Sequence, residues 1–426
     1  MHGVFHDSGR EVAGSKMPHV WAGVFVILIF GFGYLIGVRG FLAERIPAPI
    51  VSAIAAPLQP QGVDFSPVWK AWRVIDEKFV PASVATTTSI ATSTQDANQK
   101  RVWGMIQGLA ASLDDPYTFF LPPVEKKLFE DDMSGSFEGV GMEIAVRDQV
   151  LTVVSPLKGT PSERAGIKSG DKVLKIDGED TRGMDITEAV KRIRGPQGTE
   201  VTLTVFRDGW DEPLDIKVKR DVINVPTLTT EVRSDGIFVL TLSSFTAQSP
   251  DLFRNALREF VTSGNTKLII DLRRNPGGYL EAAVDMASWF LPAGKVVVTE
   301  DYAGHAQNVV HRSRGYDIFN ENLKMVVLVD KGSASASEIL AEALRYHGKA
   351  TLIGASTFGK GSVQELVEIT PETSLKVTIA LWLGPNGQSI PTSGIVPDVE
   401  VKLTEDDTVA GKDPQLDKAI EIVKSL

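Results

Sequence analysis

The chain has 426 residues, no cysteine, a net charge of −10 and a pI near 5.3. This length accommodates two or three domains. The lack of cysteine excludes thiol catalysis, disulfides, and iron–sulfur and zinc-finger sites. An acidic chain without a block of basic residues is also not expected to bind nucleic acid.

An uncharged, strongly apolar segment, Val20–Val38, follows an N-terminal tail of residues 1–19. A helix needs about 20 such residues to span a bilayer, and the apolar part of a cleaved signal is usually only ~7–15 residues long. We therefore predict an uncleaved transmembrane signal anchor. Cleavage is the alternative, since small residues gather at Ser52–Ala56. A buried core helix is a third interpretation.

Residues 39–64 form a linker rich in proline and alanine, and residues 65–134 are predicted to be an N-terminal helical region. Apolar residues recur at helical spacing in Phe65–Phe79 and in Val102–Leu113. Between these helices, Ala82–Gln95 consists mostly of Thr, Ser and Ala and is predicted to be a surface loop.

Residues 135–224 change to short strands, glycine turns and an amphipathic helix at Ile186–Ile193. This order resembles a PDZ domain, in which an extended peptide end adds to a sheet edge beside a helix. The resemblance implies that the backbone N–H groups of Val140, Gly141 and Met142 bind a terminal carboxylate. An ordinary small β domain is the alternative.

Residues 225–402 alternate between strands and helices, which predicts a layered α/β core of mixed class. The predicted elements are Ile237–Leu242, Asp251–Val261, Lys267–Leu272, Leu280–Phe290, Met325–Val329, Glu338–Leu344 and Ala350–Ile353. Residues 403–426 form a C-terminal helical segment that is amphipathic, so it is expected to pack on the core or against a partner.

Two short stretches of the core carry chemistry, Gly332–Glu338 and Thr357–Gln364. The first places three serines, at 333, 335 and 337, between a strand and a helix, where free backbone N–H groups are expected. The second places Lys360 in an uncharged loop, where desolvation would favour its neutral form. Serine and neutral lysine together form a hydrolase pair. The alternative is that the serines only pack the helix start and the lysine is solvated.

A nucleotide site is a further alternative, because Gly354–Lys360 matches most of a phosphate-binding loop. The position that should offer a hydroxyl to magnesium is Gly361, and the following residues alternate as in a strand. These departures disfavour nucleotide binding.

These segments together resemble the carboxyl-terminal processing peptidases, also called tail-specific proteases. The resemblance runs from about Phe65 to the C-terminus. It is carried by Ser112–Thr118, Phe137–Gly141, Ile193–Gly195, Asp271–Arg273, Asn275–Gly278, Gly332–Glu338 and Gly354–Gln364. It implies a layered α/β protease core like those of crotonase and ClpP, with an inserted, β-rich PDZ domain.

By this resemblance, Ser335 is the nucleophile, Lys360 the general base, and Gln364 the residue that orients the lysine. The oxyanion hole is implied to be the backbone N–H groups of Gly278 and Ala336, with Gly277 as the alternative to Gly278. No cofactor and no metal is implied. Arg194 is a candidate contact between the PDZ domain and the protease core.

The expected function is that of a membrane-anchored serine endopeptidase of the bacterial cell envelope, with its catalytic part outside the cytoplasm. Its PDZ domain would recognise protein or peptide substrates with apolar C-terminal tails, and in relatives its movement assembles the active site. The alternative is a catalytically silent PDZ scaffold that presents peptides. The sequence leaves open whether a homo-oligomer or an adaptor is needed.

Overall fold

The computed structural model describes residues 60–80, 94–147, 149–319, 322–404, 407 and 410–426. The predicted anchor Val20–Val38 and nearly all of the predicted loop Ala82–Gln95 lie outside these residues. No helix in the described ranges combines the length and apolarity needed to cross a bilayer.

Contacts divide the chain into a unit ending at residue 91 and a larger unit beginning at residue 92. Within the first unit, helix α1 spans Ser66–Lys78, as the periodicity predicts. In the second unit, helix α2 spans Thr94–Ala111. It begins earlier than predicted. The prediction missed its first turns because they are polar and show no apolar periodicity.

The α2 helix is followed by a short strand, β1 (Phe119–Leu121), and by α3 (Pro123–Ser134). The chain then enters the PDZ region through β2 (Ser136–Gly139) and leaves it through β9 (Asp221–Asn224). These two strands pair antiparallel, so the entry and exit of this region lie side by side.

The PDZ region itself contains a second sheet and two helices. Its elements are β3 (Met142–Arg147), β4 (Val150–Pro156), α4 (Pro161–Arg164), β5 (Lys172–Ile176), β6 (Glu179–Asp180), α5 (Ile186–Ile193), β7 (Glu200–Phe206) and β8 (Leu214–Lys219). Alternate residues of β7 are fully buried, and they form one apolar core with Ala189 and Ile193 of α5. The alternation is what a sheet with one covered face requires.

The core of the larger unit is a six-stranded sheet with the order β10-β11-β12-β15-β16-β19. Its strands are β10 (Leu228–Val232), β11 (Ile237–Leu242), β12 (Lys267–Asp271), β15 (Lys324–Val329), β16 (Thr351–Gly354) and β19 (Val399–Glu400). The strands from β11 to β19 run parallel, and β10 is antiparallel at one edge.

Helices cover both faces of this sheet, as a parallel sheet requires. The helices are α6 (Ser249–Thr262), α7 (Leu280–Ser288), α8 (Ala336–Tyr346) and α9 (Pro414–Ser425). Along β15, Met325, Val327 and Val329 face the large apolar core that includes α6, α7 and α8, whereas Val326 and Leu328 face α9.

The C-terminal helix is held to the core by an ion-pair network as well as by apolar contacts. Arg273, just after β12, donates to the carboxylates of Asp271 and Asp413, the N-cap residue of α9. Of the two expectations for the C-terminal segment, packing on the core is the one that the structure shows.

The larger unit also contains a five-stranded antiparallel sheet, which contributes residues to the same large apolar core. This sheet contains β1, β13 (Val296–Asp301), β14 (Val309–Arg312), β17 (Ser362–Thr370) and β18 (Thr373–Leu383). The N-terminal strand β1 pairs with β18 near the C-terminus. Sequence periodicity predicts β17 but does not predict the pairing of β1 with β18. This long-range pairing brings residues 115–119 close to the candidate site.

Candidate active site

The loop between β15 and α8 carries three serines, and their hydroxyls have different partners. Ser333 Oγ donates to the carbonyl of Leu272 at 2.8 Å, and Ser337 Oγ donates to the carbonyl of Asn275 at 2.9 Å. Both side chains are fully buried. Ser335 is half-buried, and in the described part of the chain its hydroxyl donates no hydrogen bond. The flanking serines therefore hold the loop, and the middle hydroxyl is available for chemistry.

The backbone of Ser335 has an unusual conformation, with φ 54° and ψ −116°. Such a conformation in a residue with a side chain costs about 1–3 kcal/mol and persists only where neighbours enforce it. Here the N–H of Ser335 donates to Glu338 at 2.9 Å, and its carbonyl accepts the N–H of Ile339 at 3.0 Å. These bonds fix Ser335 at the start of α8.

Glu338 connects the two stretches that carry the candidate residues. Its carboxylate is fully buried. Oε2 accepts the backbone N–H groups of Ser335 and Lys360 at 2.9 and 3.0 Å, and Oε1 accepts the Thr357 hydroxyl and the Gly359 N–H at 2.6 and 2.8 Å. The serine and lysine loops are thus joined through one side chain. Sequence analysis included Glu338 in its motif but assigned it no role.

The side chain of Lys360 lies in a poorly solvated, cationic environment. Burial, and secondarily the charge of Lys376, lowers the pKa of Lys360 to about 8, against a smaller opposing effect of Glu338. A substantial neutral fraction is therefore present near neutral pH, as a general base requires. In the described residues, Lys360 Nζ and Ser335 Oγ form no direct hydrogen bond.

Aromatic rings lie close to the two lysines, one just before β1 and one at its first residue. Lys360 Nζ is 5.7 Å from the ring centre of Tyr117, and Lys376 Nζ is 5.2 Å from that of Phe119. Lys376 also lies 5.4 Å from the ring of Phe129, and burial lowers its pKa. Aromatic faces attract cations, so these rings hold two like charges near one another.

Gln364 belongs to a hydrogen-bond chain on the neighbouring strands. Its Nε2 donates to Ser362 Oγ at 2.7 Å and to Thr378 Oγ1 at 3.3 Å, and Thr378 in turn donates to Asp115 at 2.6 Å. Among the described contacts, none joins Gln364 to Lys360. The predicted orienting role of Gln364 therefore stays a prediction. Sequence analysis missed the contributions of Thr378 and Asp115.

The glycine pair 277–278 packs against the serine loop. A Cβ atom on Gly277, which has φ 98°, would lie 2.6 Å from the Ala334 carbonyl oxygen and 2.8 Å from Ser335 Cβ, so only glycine fits. The Gly277 N–H donates to Asn275 Oδ1 at 2.9 Å. Within the described ranges, the Gly278 and Ala336 N–H groups have no acceptor, which distinguishes Gly278 from Gly277 as an oxyanion donor.

In the PDZ region, a small groove of about 60 Å³ lies between β3 and α5. Val140, Gly141 and Met142 line it together with apolar residues of α5. The Gly141 carbonyl accepts the hydroxyls of Thr160 and Ser162 at 2.8 and 2.6 Å. These hydrogen bonds fix the conformation of the turn, where sequence analysis predicts that a peptide end binds.

Arg194 also lines this groove, where its guanidinium lies 4.1 Å from the Phe137 ring centre. It donates to Asp132 of α3 at 2.7 Å. The structure thus connects Arg194 to α3, whereas sequence analysis placed its contact on the protease core.

The phosphate-loop alternative does not agree with the structure. Lys360 is followed by the strand β17, which begins at Ser362, whereas a phosphate-binding loop opens a helix whose N-terminus holds the phosphate. This stretch has no such helix.

Known proteins resemble this chain in sequence and in fold. The sequence model of peptidase family S41 matches residues 236–401, and the sequence model of the PDZ domain matches residues 152–207. A solved structure titled photosystem II D1 C-terminal processing protease aligns with a TM-score of 0.54 and 25% identity, covering 78% of this chain and 92% of that chain. A putative S41 protease from Bacteroides fragilis aligns with a TM-score of 0.50 at 16% identity over 86% of this chain and 97% of that chain, which shows the shared fold.

Two curated relatives cover 72% of this chain each. The carboxy-terminal processing protease CtpA of Bacillus subtilis is 37% identical over 308 residues, which span 65% of that protein. The carboxy-terminal-processing protease of Bartonella bacilliformis is 40% identical over 311 residues, which span 70% of that protein. With the fold and both matched regions in agreement, the chain belongs to the carboxy-terminal processing serine proteases of peptidase family S41.

Proposed function

We propose that the chain is a serine endopeptidase in which Ser335 is the nucleophile and Lys360 the general base. The observation that carries the proposal is the buried carboxylate of Glu338, which binds the backbone of both residues. The available Ser335 hydroxyl and the lowered pKa of Lys360 add to it.

In the first step, neutral Lys360 Nζ accepts the proton of Ser335 Oγ while Oγ attacks the peptide carbonyl carbon. The negative oxygen that forms accepts hydrogen bonds from the N–H groups of Gly278 and Ala336. The lysine then gives its proton to the leaving amine as the peptide bond breaks, which leaves an ester on Ser335.

In the second step, Lys360 takes a proton from a water molecule that attacks the ester. Collapse of this second intermediate returns a proton to Ser335 Oγ and releases a carboxylate product. Both steps require Nζ within hydrogen-bond reach of Oγ, a contact that often tightens only when substrate is bound. Substrate binding therefore completes the pair.

We further propose that the groove between β3 and α5 binds the C-terminal end of a protein substrate. Its support is the glycine turn at 140–142, which is braced by Thr160 and Ser162, beside apolar side chains of the helix. A peptide would add to the edge of β3 and place its last apolar side chain in the groove.

The uncharged segment Val20–Val38 supports a membrane-anchored protein of the cell envelope, with residues 60–426 outside the cytoplasm. Retention of the full chain in the membrane fraction after a carbonate wash is the expected result. Release into the soluble fraction would contradict the anchor.

The catalytic proposal is tested with the full chain in detergent and an unfolded protein that has an apolar C-terminus. The parent and a Ser134→Ala control should cleave it, whereas Ser335→Ala and Lys360→Met should not. A serine-reactive phosphonate should label the parent at Ser335. An active Ser335→Ala protein would refute the assignment, and tail binding without cleavage by any of the four proteins would favour the PDZ scaffold.

A further inference from the structure

The loop before β1 brings an aromatic ring to the candidate general base. The ring centre of Tyr117 lies 5.7 Å from Lys360 Nζ, with the amine over the ring face. The tyrosine is half-buried. It belongs to the region before the PDZ domain, and the proposed catalytic steps assign it no role.

Hydrogen bonds to one carboxylate fix the loop that carries this ring. Asp115 Oδ1 accepts the Tyr117 N–H at 3.1 Å, and Asp115 Oδ2 accepts the Thr118 hydroxyl at 2.6 Å. Thr378 of β18 donates its hydroxyl to Asp115 at 2.6 Å and its N–H to Thr118 Oγ1 at 3.0 Å. Because β18 pairs with β17, which begins just after Lys360, the ring and the lysine are attached to the same pair of strands.

Two charged groups act on Lys360 from neighbouring elements. Lys376 of β18 disfavours a proton on Nζ and Glu338 of α8 favours one, and burial has a larger effect than either. The Glu338 oxygens already accept four hydrogen bonds. Within the described ranges, no carboxylate forms a direct ion pair with Nζ. The Tyr117 ring is therefore placed to stabilise the protonated amine.

The charge on Nζ changes during the proposed reaction. The amine is neutral before it accepts the Ser335 proton and positively charged once the tetrahedral intermediate has formed. Because an aromatic face attracts a cation electrostatically, it favours the charged amine over the neutral one. An interaction that is stronger in the transition state than in the ground state increases kcat.

We propose that Tyr117 is a positioning residue that stabilises protonated Lys360 through the face of its ring while the tetrahedral intermediate is present. This inference rests on the proposed function, since it takes Lys360 as the general base. A loop that precedes the PDZ region in the chain thus acts on the catalytic lysine.

The test uses the full chain in detergent and a peptide substrate without titratable groups. Tyr117→Phe keeps the ring and removes only the hydroxyl, which the inference does not use. Tyr117→Leu keeps an apolar side chain but removes the aromatic face, and Tyr117→Ala admits water to Nζ. Tyr346→Leu is the matched control, because this tyrosine is exposed at the end of α8.

We expect Tyr117→Phe and Tyr346→Leu to match the parent in kcat. Tyr117→Leu should lower kcat by about 2- to 30-fold with little change in KM, because it loses the cation–π contact. Its pH–rate profile should move toward acidic pH, since the protonated amine has lost its partner while burial remains. Tyr117→Ala should instead move the profile toward alkaline pH, since a solvated lysine regains its ordinary pKa.

Thermal unfolding curves that coincide with that of the parent would show that the variants fold. Tyr117→Met, a second replacement without an aromatic face, decides the case if the leucine variant does not fold.

An unchanged kcat and pH profile in Tyr117→Leu would overturn the inference while leaving the serine–lysine pair intact. Movement toward alkaline pH in both the leucine and alanine variants would also overturn it, because the ring would then act only by excluding water. If the parent cleaves nothing and behaves like Lys360→Met, the proposed function fails, and this role of Tyr117 fails with it.

Discussion

The backbone of Lys360 is joined to that of Ser335 by a single oxygen atom, Glu338 Oε2, which accepts an N–H from each. The two residues come from loops after neighbouring parallel strands, β15 and β16. Their relative position therefore depends on a buried charge rather than on their own side chains.

Replacing Glu338 by glutamine should separate the two loops. An amide NH₂ accepts no hydrogen bond, so some of the four donors around residue 338 would lose their acceptor. We expect the free energy of unfolding to fall by about 1–3 kcal/mol, and kcat to fall by about 100-fold because the serine and lysine are displaced. Denaturant titration and steady-state kinetics measure both effects. Glu342→Gln on the same helix is the control, and equal losses in both variants would contradict a specific role.

The rate should depend on the protonation state of Lys360. The pKa of this lysine is about 8, and only the neutral amine accepts the serine proton. We expect kcat/KM to fall about 10-fold per pH unit well below pH 8 and to level off above it. A peptide without titratable groups is the appropriate substrate. A flat profile between pH 6 and pH 9 would exclude a lysine base with this pKa.

Lys360 should reduce stability in return for its activity. Its folded pKa of about 8 lies below the ordinary value of 10.5, so the unfolded chain binds more protons between these values, and stability rises with pH across that window. Lys360→Met should thus stabilise the protein by up to about 3 kcal/mol below pH 8, with the gain vanishing toward pH 10.5. Unfolding curves at several pH values test this. If the gain in stability does not vary with pH, better packing of the methionine rather than loss of a buried charge is its cause.

Lys376 should help to keep Lys360 neutral. After burial, its positive charge is the next cause of the lowered pKa of Lys360, and Glu338 acts in the opposite direction. Lys376→Met removes the repulsion and should move the pH–rate profile toward alkaline pH, so activity falls at pH 7 and returns at higher pH. The exposed Lys219→Met variant should leave the profile unchanged. Movement of the pH–rate profile toward acidic pH in Lys376→Met would contradict this prediction.

Thr378 tests whether the Gln364 chain positions the site. Thr378→Val removes the hydroxyl between Gln364 and Asp115, whereas Thr378→Ser keeps it. We expect the valine variant to lose about 10-fold in kcat with little change in KM, because substrate binding does not involve these hydrogen bonds. The apparent pKa near 8 should remain. If the serine variant is as impaired as the valine variant, the threonine methyl group rather than the hydrogen bond is what matters.

Local sequence patterns predicted much of the fold. The helix Ile186–Ile193 has the predicted bounds, and the strand predicted at Lys267–Leu272 ends at Asp271. The helix has one consistently apolar face, and the strand is a continuous apolar run because both of its faces are buried, so both patterns are visible in the sequence. The pairing of β1 with β18 was not predicted, because it joins segments more than 200 residues apart by backbone bonds that leave no local pattern.

The sequence by itself determined which residue types stand in the two loops, since a small-residue turn before a helix and a glycine-flanked lysine are local features. It did not distinguish the three serines by their contacts, and it assigned no role to Glu338 or Lys376. Only the tertiary structure decided these points, because the hydrogen-bond acceptors for Ser333 and Ser337 come from another loop, and the lysine pKa is lowered by burial and by the charge of Lys376. The local sequence determines which chemical groups are present, whereas their exclusion from solvent is a property of the assembled fold.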